Sequence, residues 1–379
     1  MAFKNKIIYT AAPKGFFPYG AAVFVYCVID NALAVLYYNV KIKKESDMKK
    51  YSCFDSPLKI FGLPFFEENK KLERLPEEIR KKLPSLEFFG KRCFGARLCF
   101  RTNTKKLRLT AELETLSYDI GMSIYSCQSF IVTAGSRPLP KFIGRLRPHD
   151  YSEKSLEEEF TLSGEMQDIT VWFPRNETVK TVSVEIDNDA FIEAPTPYTH
   201  PPMLFYGSSI TEGGHAEKPC CAYTSLLSNW LDADFYSMGF SGSAHGEPEM
   251  AEFLSKIPMS VFILDYDHNS TVEELDARHE NFFKIIRAEN PDLPIVMLNR
   301  PLFEERGDYD ERRKIINRTY RNAVSNGDKN VFFIDSECFF PTDLRQQCTT
   351  DDIHPNDFGF YLMAKNIYPT LSAILNGDE

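Results

Sequence analysis

Four prolines within eight residues, Pro195, Pro197, Pro201 and Pro202, divide the chain at the point where its apolar pattern changes period. Proline has no amide proton and a locked φ, so such a stretch is expected to interrupt a strand ladder or a helix. Before it, short runs at 96–102 (ARLCFRT), 107–113 (LRLTAEL), 123–131, 168–173 and 179–186 recur with turn residues between them, and several alternate apolar and polar residues. Alternation with period two puts the apolar side chains on one face of a strand. Several such strands in succession predict an antiparallel β-sandwich. The one helical segment expected here is 75–83, LPEEIRKKL, with its proline early and its glutamates in the first turn.

After the prolines, strand-sized apolar runs at 203–206, 234–238, 260–264, 295–298 and 331–334 alternate with helical segments. Thr271-Val272-Glu273-Glu274 is a capping box that opens an amphipathic helix ending before Pro291, and a further helix is expected over 310–325. This alternation predicts a three-layer α/β domain, a mostly parallel sheet between helices, with its ligand site at the C-terminal strand ends. At 379 residues there is chain for two such domains. The expected division is 50–195 for the sandwich and 196–379 for the α/β part, with 1–49 as an extension.

Within the extension, residues 20–38, GAAVFVYCVIDNALAVLYY, are almost continuously apolar, with Lys41, Lys43 and Lys44 following. Three readings compete. Asp30-Asn31 between two β-branched and aromatic halves fits a hairpin. The length and flanking lysines fit a membrane anchor, although the aspartate costs a few kcal/mol at a bilayer centre. The third is a segment outside the folded protein, whose ordinary domain would begin at Phe54.

Acidic residues outnumber basic ones, 54 to 44, and no long basic run occurs, so a nucleic-acid partner is not expected. The nine cysteines, at 27, 53, 93, 99, 127, 220, 221, 338 and 348, are odd in number, scattered and without a CxxC pair. Reduced thiols in a cytoplasmic setting are therefore expected, with neither a zinc ribbon nor a disulfide framework.

Chemistry is sought where loops leave the strands of the second half. Gly207-Ser208-Ser209 follows the first run, Gly239-Phe240-Ser241-Gly242 the second, and Asp265-Tyr266-Asp267-His268-Asn269 the third; Asp351-Asp352-Ile353-His354 precedes the last helix. On one turn, Asp351 can reach the ring of His354. Hydroxyl, imidazole, carboxylate, backbone N–H and side-chain amide are the groups an acyl-transfer site requires, since serine needs a base, the base an orienting anion, and the oxyanion preorganised donors. Each part alone has a structural reading: Gly-Ser-Ser as a turn, Asp-x-x-His as a helix-start cap. The α/β-hydrolase elbow G-x-S-x-G does not fit, because its fifth position is Thr211. No metal is expected: His215, Cys220, Cys221, His245 and His268 match no common zinc spacing. Arg300, His268 and Glu247 are candidates for substrate contacts, with Glu212 weighed alongside Glu247 and a structural ion pair as the alternative for Arg300. His149, His200 and His279 are expected on solvated surfaces, and Trp172 and Trp230 in packed cores.

FYGSSITEGG, GFSGSAHGEPEMAEF, DYDHN and DDIHPNDFGFY together resemble the four blocks of the SGNH hydrolases, the GDSL-like esterase family. Residues 54–195 resemble the β-sandwich that precedes the hydrolase domain in a two-domain bacterial branch. The resemblance implies Ser209 as nucleophile, His354 as base and Asp351 as its orienting partner. It implies an oxyanion hole from the N–H groups of Ser209 and Gly242 and the amide of Asn269. Ser208 stands where most of the family has aspartate, and His268 where a smaller residue is usual. By resemblance the chain is expected to be a cofactor-free serine esterase removing small acyl groups, above all acetyl, from carbohydrates. A lipase or thioesterase, and a carbohydrate-binding protein with a vestigial hydrolase half, are the alternatives.

Overall fold

The computed structural model describes residues 8–11, 22–29, 32–39, 48–119, 121–301 and 307–377, with backbone alone before residue 48 and at residue 338. Two compact units are present, Met1–Lys49 and Lys50–Glu379. In the first, Ile8–Ala11, Ala22–Ile29 and Ala32–Asn39 form an antiparallel sheet in chain order. Ile29 pairs with Ala32 and Ala22 with Asn39, so both halves of the apolar stretch are strands paired as in a hairpin. Asp30 and Asn31 lie outside the described residues. Among the described residues no helix is long and apolar enough to cross a membrane.

The second unit opens with a β-sandwich. One sheet runs Ser155–Thr161, Lys106–Leu113, Val179–Asp187, Met48–Ser52; the other runs Ile192–Glu193, Arg97–Thr102, Gln167–Trp172, Phe130–Ala134, Lys141–Leu146, with Lys59–Phe61 also on Arg97–Thr102. The alternation read in LRLTAEL turns Leu107, Leu109, Ala111 and Leu113 inward, where they meet Phe100, Val132, Ile169 and Val171 of the facing sheet. Residues 123–131 are not one strand. Ile124–Cys127 is a helical turn and the strand starts at Phe130, because the Ser123 carbonyl accepts from the Ser126 and Cys127 N–H groups and the Ser126 hydroxyl. Such local bonds compete with a ladder. The strand Ser155–Thr161 escaped the sequence pattern because it is an edge strand burying only Leu156 and Phe160, with acidic residues between them.

The α/β part holds a parallel sheet in the order Ala233–Gly239, His200–Gly207, Val261–Asp265, Ile295–Leu298, Val331–Ile334. Strand His200–Gly207 sends Leu204 and Tyr206 to one face and Met203 and Phe205 to the other. Helices Pro248–Leu254, Val272–Glu289 and Tyr309–Ser325 cover the first face; Tyr223–Leu231 and Asp357–Asn376 cover the second. The Thr271 capping box is formed, its hydroxyl accepting from the Glu274 N–H at 3.2 Å and the Glu274 carboxylate from the Thr271 N–H at 3.0 Å. Strand order reverses between His200–Gly207 and Val261–Asp265, and the crevice at such a switch point is where ligands of open α/β sheets bind.

The prolines do not separate the cores. Leu75, Ile79, Leu83 and Leu86, from a helical stretch inserted in the sandwich half, share a core with Met250, Phe282 and Ile316. Buried Arg74 donates to the carbonyls of Ser237 and Gly239, and buried Arg97 pairs with Asp234. His279, expected on a surface, is 1% exposed and bonded to the Thr319 hydroxyl at 2.9 Å. Its side of the helix faces Tyr266 and Tyr309–Ser325, and burial lowers its pKa to about 3.

Candidate active site

Ser209 sits in the turn directly after strand His200–Gly207, partly exposed. His354 and Asp351 come from a loop closed on itself, with Thr349 bridged to Pro355 and the Thr350 N–H donating to the His354 carbonyl. Asn356 anchors that loop to the last helix: its side-chain oxygen caps Gly359 N–H at 3.1 Å and its amide donates to Gln347 O at 2.8 Å. These supports bring residues 145 apart in sequence together, with Ser209 Oγ 2.8 Å from His354 Nε2.

Asp351 Oδ2 lies 2.8 Å from His354 Nδ1. A carboxylate can only accept, so Nδ1 carries the proton and Nε2 presents its lone pair to the Ser209 hydroxyl. Asp351 Oδ1 accepts from the backbone N–H of His354 at 2.8 Å and of Ile353 at 3.2 Å. Burial pushes the Asp351 carboxyl up, but the bonds from the His354 backbone and ring outweigh it and hold the group below its ordinary range.

Gly242 follows the second strand with φ 63°, and a Cβ built there would meet no heavy atom within 4 Å, so its backbone is open on that side. A left-handed backbone of this kind suits glycine. Asn269 donates one amide hydrogen to Phe240 O at 3.0 Å, which leaves its second hydrogen for another acceptor. Ser208, buried at the position of the missing aspartate, accepts from the Ile210 N–H.

The candidates for substrate contacts are placed differently. Arg300 is buried, its guanidinium paired with Asp308 and its N–H donating to Asp267. Burial raises Asp267 to about 6. Glu247 precedes helix Pro248–Leu254, and its carboxylate has a buried oxygen. His268 is half-buried in the turn before Asn269.

Further residues meet at the site: His215, considered in the sequence only within the rejected metal set, Glu212, weighed there as a substrate contact, and Arg175, which the sequence did not single out. His215, with φ 67°, stacks its ring on that of His354 at 4.8 Å, and its Nε2 stands 3.8 Å from Asp351 Oδ2. Burial and the charge of His354 both lower its pKa. Among the described residues, His215, Asp351 and His354 form a group whose ligand atoms lie within 4.8 Å of one another, although Asp351 and His354 are already bonded to each other. Glu212 is fully buried, pairing with Arg74 at 2.7 Å and accepting from the Ser241 hydroxyl at 2.5 Å. Burial raises its pKa, yet the charges of Arg74, Arg175 and Arg92 and the Ser241 bond prevail and lower it overall. Arg175, from the sandwich, reaches Ser241 at 2.9 Å. A strand end carrying Gly-Phe-Ser-Gly was the available signal for Ser241; for Arg175 there was none.

The family model of the GDSL-like lipase/acylhydrolases matches residues 200–372. No curated protein matches the chain. Among solved structures, a Bacteroides ovatus protein described as a GDSL-like lipase superposes with a TM-score of 0.78 at 23% identity, covering 87% of this chain and 98% of its own. The salicylyl-acyltransferase SsfX3 of a tetracycline biosynthetic pathway gives 0.72 at 18% identity over the same shares. A family two carbohydrate esterase from Clostridium thermocellum, solved with cellohexaose, gives 0.56 at 16% identity over 74% of this chain and 93% of its own. The parallel sheet, the loops gathered at its switch point and the family match agree: residues 200–372 form an ester hydrolase domain of the GDSL-like lipase/acylhydrolase family, behind an N-terminal β-sandwich.

Proposed function

We propose that the protein is a serine esterase that removes small acyl groups, acetyl above all, from carbohydrates through an acyl-enzyme. The observation that carries this reading is the unbroken chain Ser209 Oγ, His354 Nε2, His354 Nδ1, Asp351 Oδ2, with 2.8 Å at both hydrogen bonds. In the proposed cycle His354 takes the Ser209 proton as Oγ attacks the ester carbonyl, and Asp351 stabilises the imidazolium. The N–H groups of Ser209 and Gly242 and the free amide hydrogen of Asn269 receive the oxyanion. Collapse expels the sugar alcohol, which takes the proton from His354. Water, activated by the same imidazole, then releases the acid and restores the serine.

The carbohydrate substrate is supported by the fold shared with a carbohydrate esterase. Seven described cysteines are free thiols, in keeping with a proposed cytoplasmic setting and with imported or small acetylated sugars as substrates. The test is acetate release from a panel of acetylated oligosaccharides, with Ser209→Ala as the blank. Release that survives in Ser209→Ala refutes the serine mechanism. Preference for long acyl chains on simple esters replaces the carbohydrate reading with a lipase or thioesterase. Sugar binding without acetate release leaves a binding protein.

A further inference from the structure

We infer that Arg175, carried by the sandwich, is a positioning residue for the oxyanion loop, so that the sandwich is a working part of the active site. The inference rests on the reading above that Gly242 donates its N–H to the oxyanion.

Arg175 lies in the connection between strands Gln167–Trp172 and Val179–Asp187 and is 6% exposed. One end of its guanidinium, Nη1, donates to the Asn176 side-chain oxygen at 2.7 Å and approaches Met122 Sδ at 3.3 Å, both in the sandwich half. The other end, Nη2, donates to Ser241 Oγ at 2.9 Å. That hydroxyl spends its single proton on Glu212 Oε2 at 2.5 Å, and the Ser241 N–H points to the same carboxylate oxygen at 3.3 Å. Ser241 is therefore gripped by an arginine from one half of the unit and a glutamate from the other. The next peptide unit joins the Ser241 carbonyl to the Gly242 N–H, and because a peptide is planar, holding Ser241 aims that N–H. On the far side the loop is held by the Gly242 carbonyl, 3.2 Å from His245 Nε2, and by the Ser243 N–H, which donates to Phe240 O at 3.0 Å, so Ser241 is the anchor on the sandwich side.

Gly214 packs against the guanidinium, the His354 ring and the Ser209 backbone. A methyl group placed on Gly214 would lie 2.9 Å from the Ser209 carbonyl oxygen, 3.3 Å from His354 Cδ2 and 3.4 Å from Arg175 Nη2. All three converge on one point.

The competing reading is a structural ion pair. Its carboxylate neighbours, Asp119 and Glu212, stand 3.6 Å away, at a distance too long for hydrogen bonds. The buried Nε has no hydrogen-bond partner among the described residues. A buried guanidinium with an unsatisfied N–H is a poor stability device, and an apolar side chain would serve a merely structural position better. Its bond across to the hydrolase half goes to the residue that precedes the oxyanion glycine.

The test is steady-state hydrolysis of an acetyl ester by the full chain, comparing wild type with Arg175→Met, Arg175→Ala, Arg175→Lys, Ser241→Ala and the double variant Arg175→Met/Ser241→Ala, with Ser209→Ala as the blank. A misaimed donor forfeits part of the 10²–10³ in rate that a lost one does, so kcat of Arg175→Met should fall about 10- to 100-fold with KM within about threefold. Millimolar guanidinium should restore part of the Arg175→Ala rate. The double variant should be no slower than the worse single one, because both substitutions break one contact. Wild-type kcat in Arg175→Met overturns the inference. So does a loss that multiplies with that of Ser241→Ala, or one that tracks a fallen melting temperature and is not recovered by guanidinium. If Arg175→Met does not fold, Ser241→Ala and Arg175→Lys decide by the same split between kcat and KM. An active Ser209→Ala enzyme instead signals failure of the functional reading on which the inference rests.

Discussion

Replacing Asp351 by asparagine tests the site at its most geometrically determined point. Two backbone donors, the N–H groups of Ile353 and His354, both point at Asp351 Oδ1, so an asparagine must put its carbonyl oxygen there. Its NH2 then takes the place of Oδ2, 2.8 Å from His354 Nδ1, and presents a donor where the imidazole now donates. The ring is driven to the tautomer with its proton on Nε2, and that nitrogen can no longer accept from Ser209. The variant also removes the charge that stabilises the imidazolium. Two unit charges 2.8 Å apart attract by roughly 6 kcal/mol at an effective dielectric of about 20. The Asp351 side chain is 41% exposed, and screening by water leaves about 3 to 5 kcal/mol of that. At about 1.4 kcal/mol per decade, kcat should drop on the order of 10³-fold, measured by p-nitrophenyl acetate hydrolysis with KM followed separately. Asp351→Ala, which lets water settle by Nδ1 and forces no tautomer, should be no slower than Asp351→Asn. An asparagine variant within about tenfold of wild type, alongside a dead Ser209→Ala, would show that the imidazole is oriented by something other than Asp351.

Other outcomes follow from single contacts. Asn269→Ala should lose roughly 2.7 to 4 kcal/mol of transition-state stabilisation, a hundredfold or more in kcat on an acetyl ester; full rate would remove Asn269 from the oxyanion hole. Burial, with bonds from Tyr223 and Thr211 opposing it, raises the Asp265 carboxyl to about 7 from 3.8, so the folded state keeps a proton that the unfolded state releases. Stability should therefore fall as pH rises from about 4 to about 7, by up to about 1.4 kcal/mol per unit. Asp265→Asn should flatten this slope in urea titrations across that window, and an unchanged slope would show that the carboxyl is not the source. Phe282 is fully buried and stacked on Tyr206 at 4.9 Å, so Phe282→Ala should cost about 3 to 5 kcal/mol in chemical denaturation, a loss below about 1 kcal/mol marking a site that collapses freely.

Period and spacing carried much of the architecture. LRLTAEL and TVSVEI alternate because each strand has one face on the sandwich core, and the buried parallel strands read as short apolar runs because both their faces are covered. Asp351 and His354 were legible as a pair because three residues fit one turn. Where local bonding competed with alternation, as at Ile124–Cys127, or where an edge strand exposed most of its side chains, as at Ser155–Thr161, the pattern misled or fell silent.

What the sequence determined by itself is therefore what local periodicity and motif encode: two layered architectures, the loops that carry the reactive groups, and the pairing of Asp351 with His354. Which distant groups meet is settled by tertiary packing. Arg175 and Ser241 are 66 residues apart, Arg74 and Glu212 138, and His279 reaches Thr319 across 40. Neither hydropathy nor spacing distinguishes an arginine on solvent from one buried against a serine. The difference arises only when the sandwich and the parallel sheet pack together and each polar group must find its partner away from water.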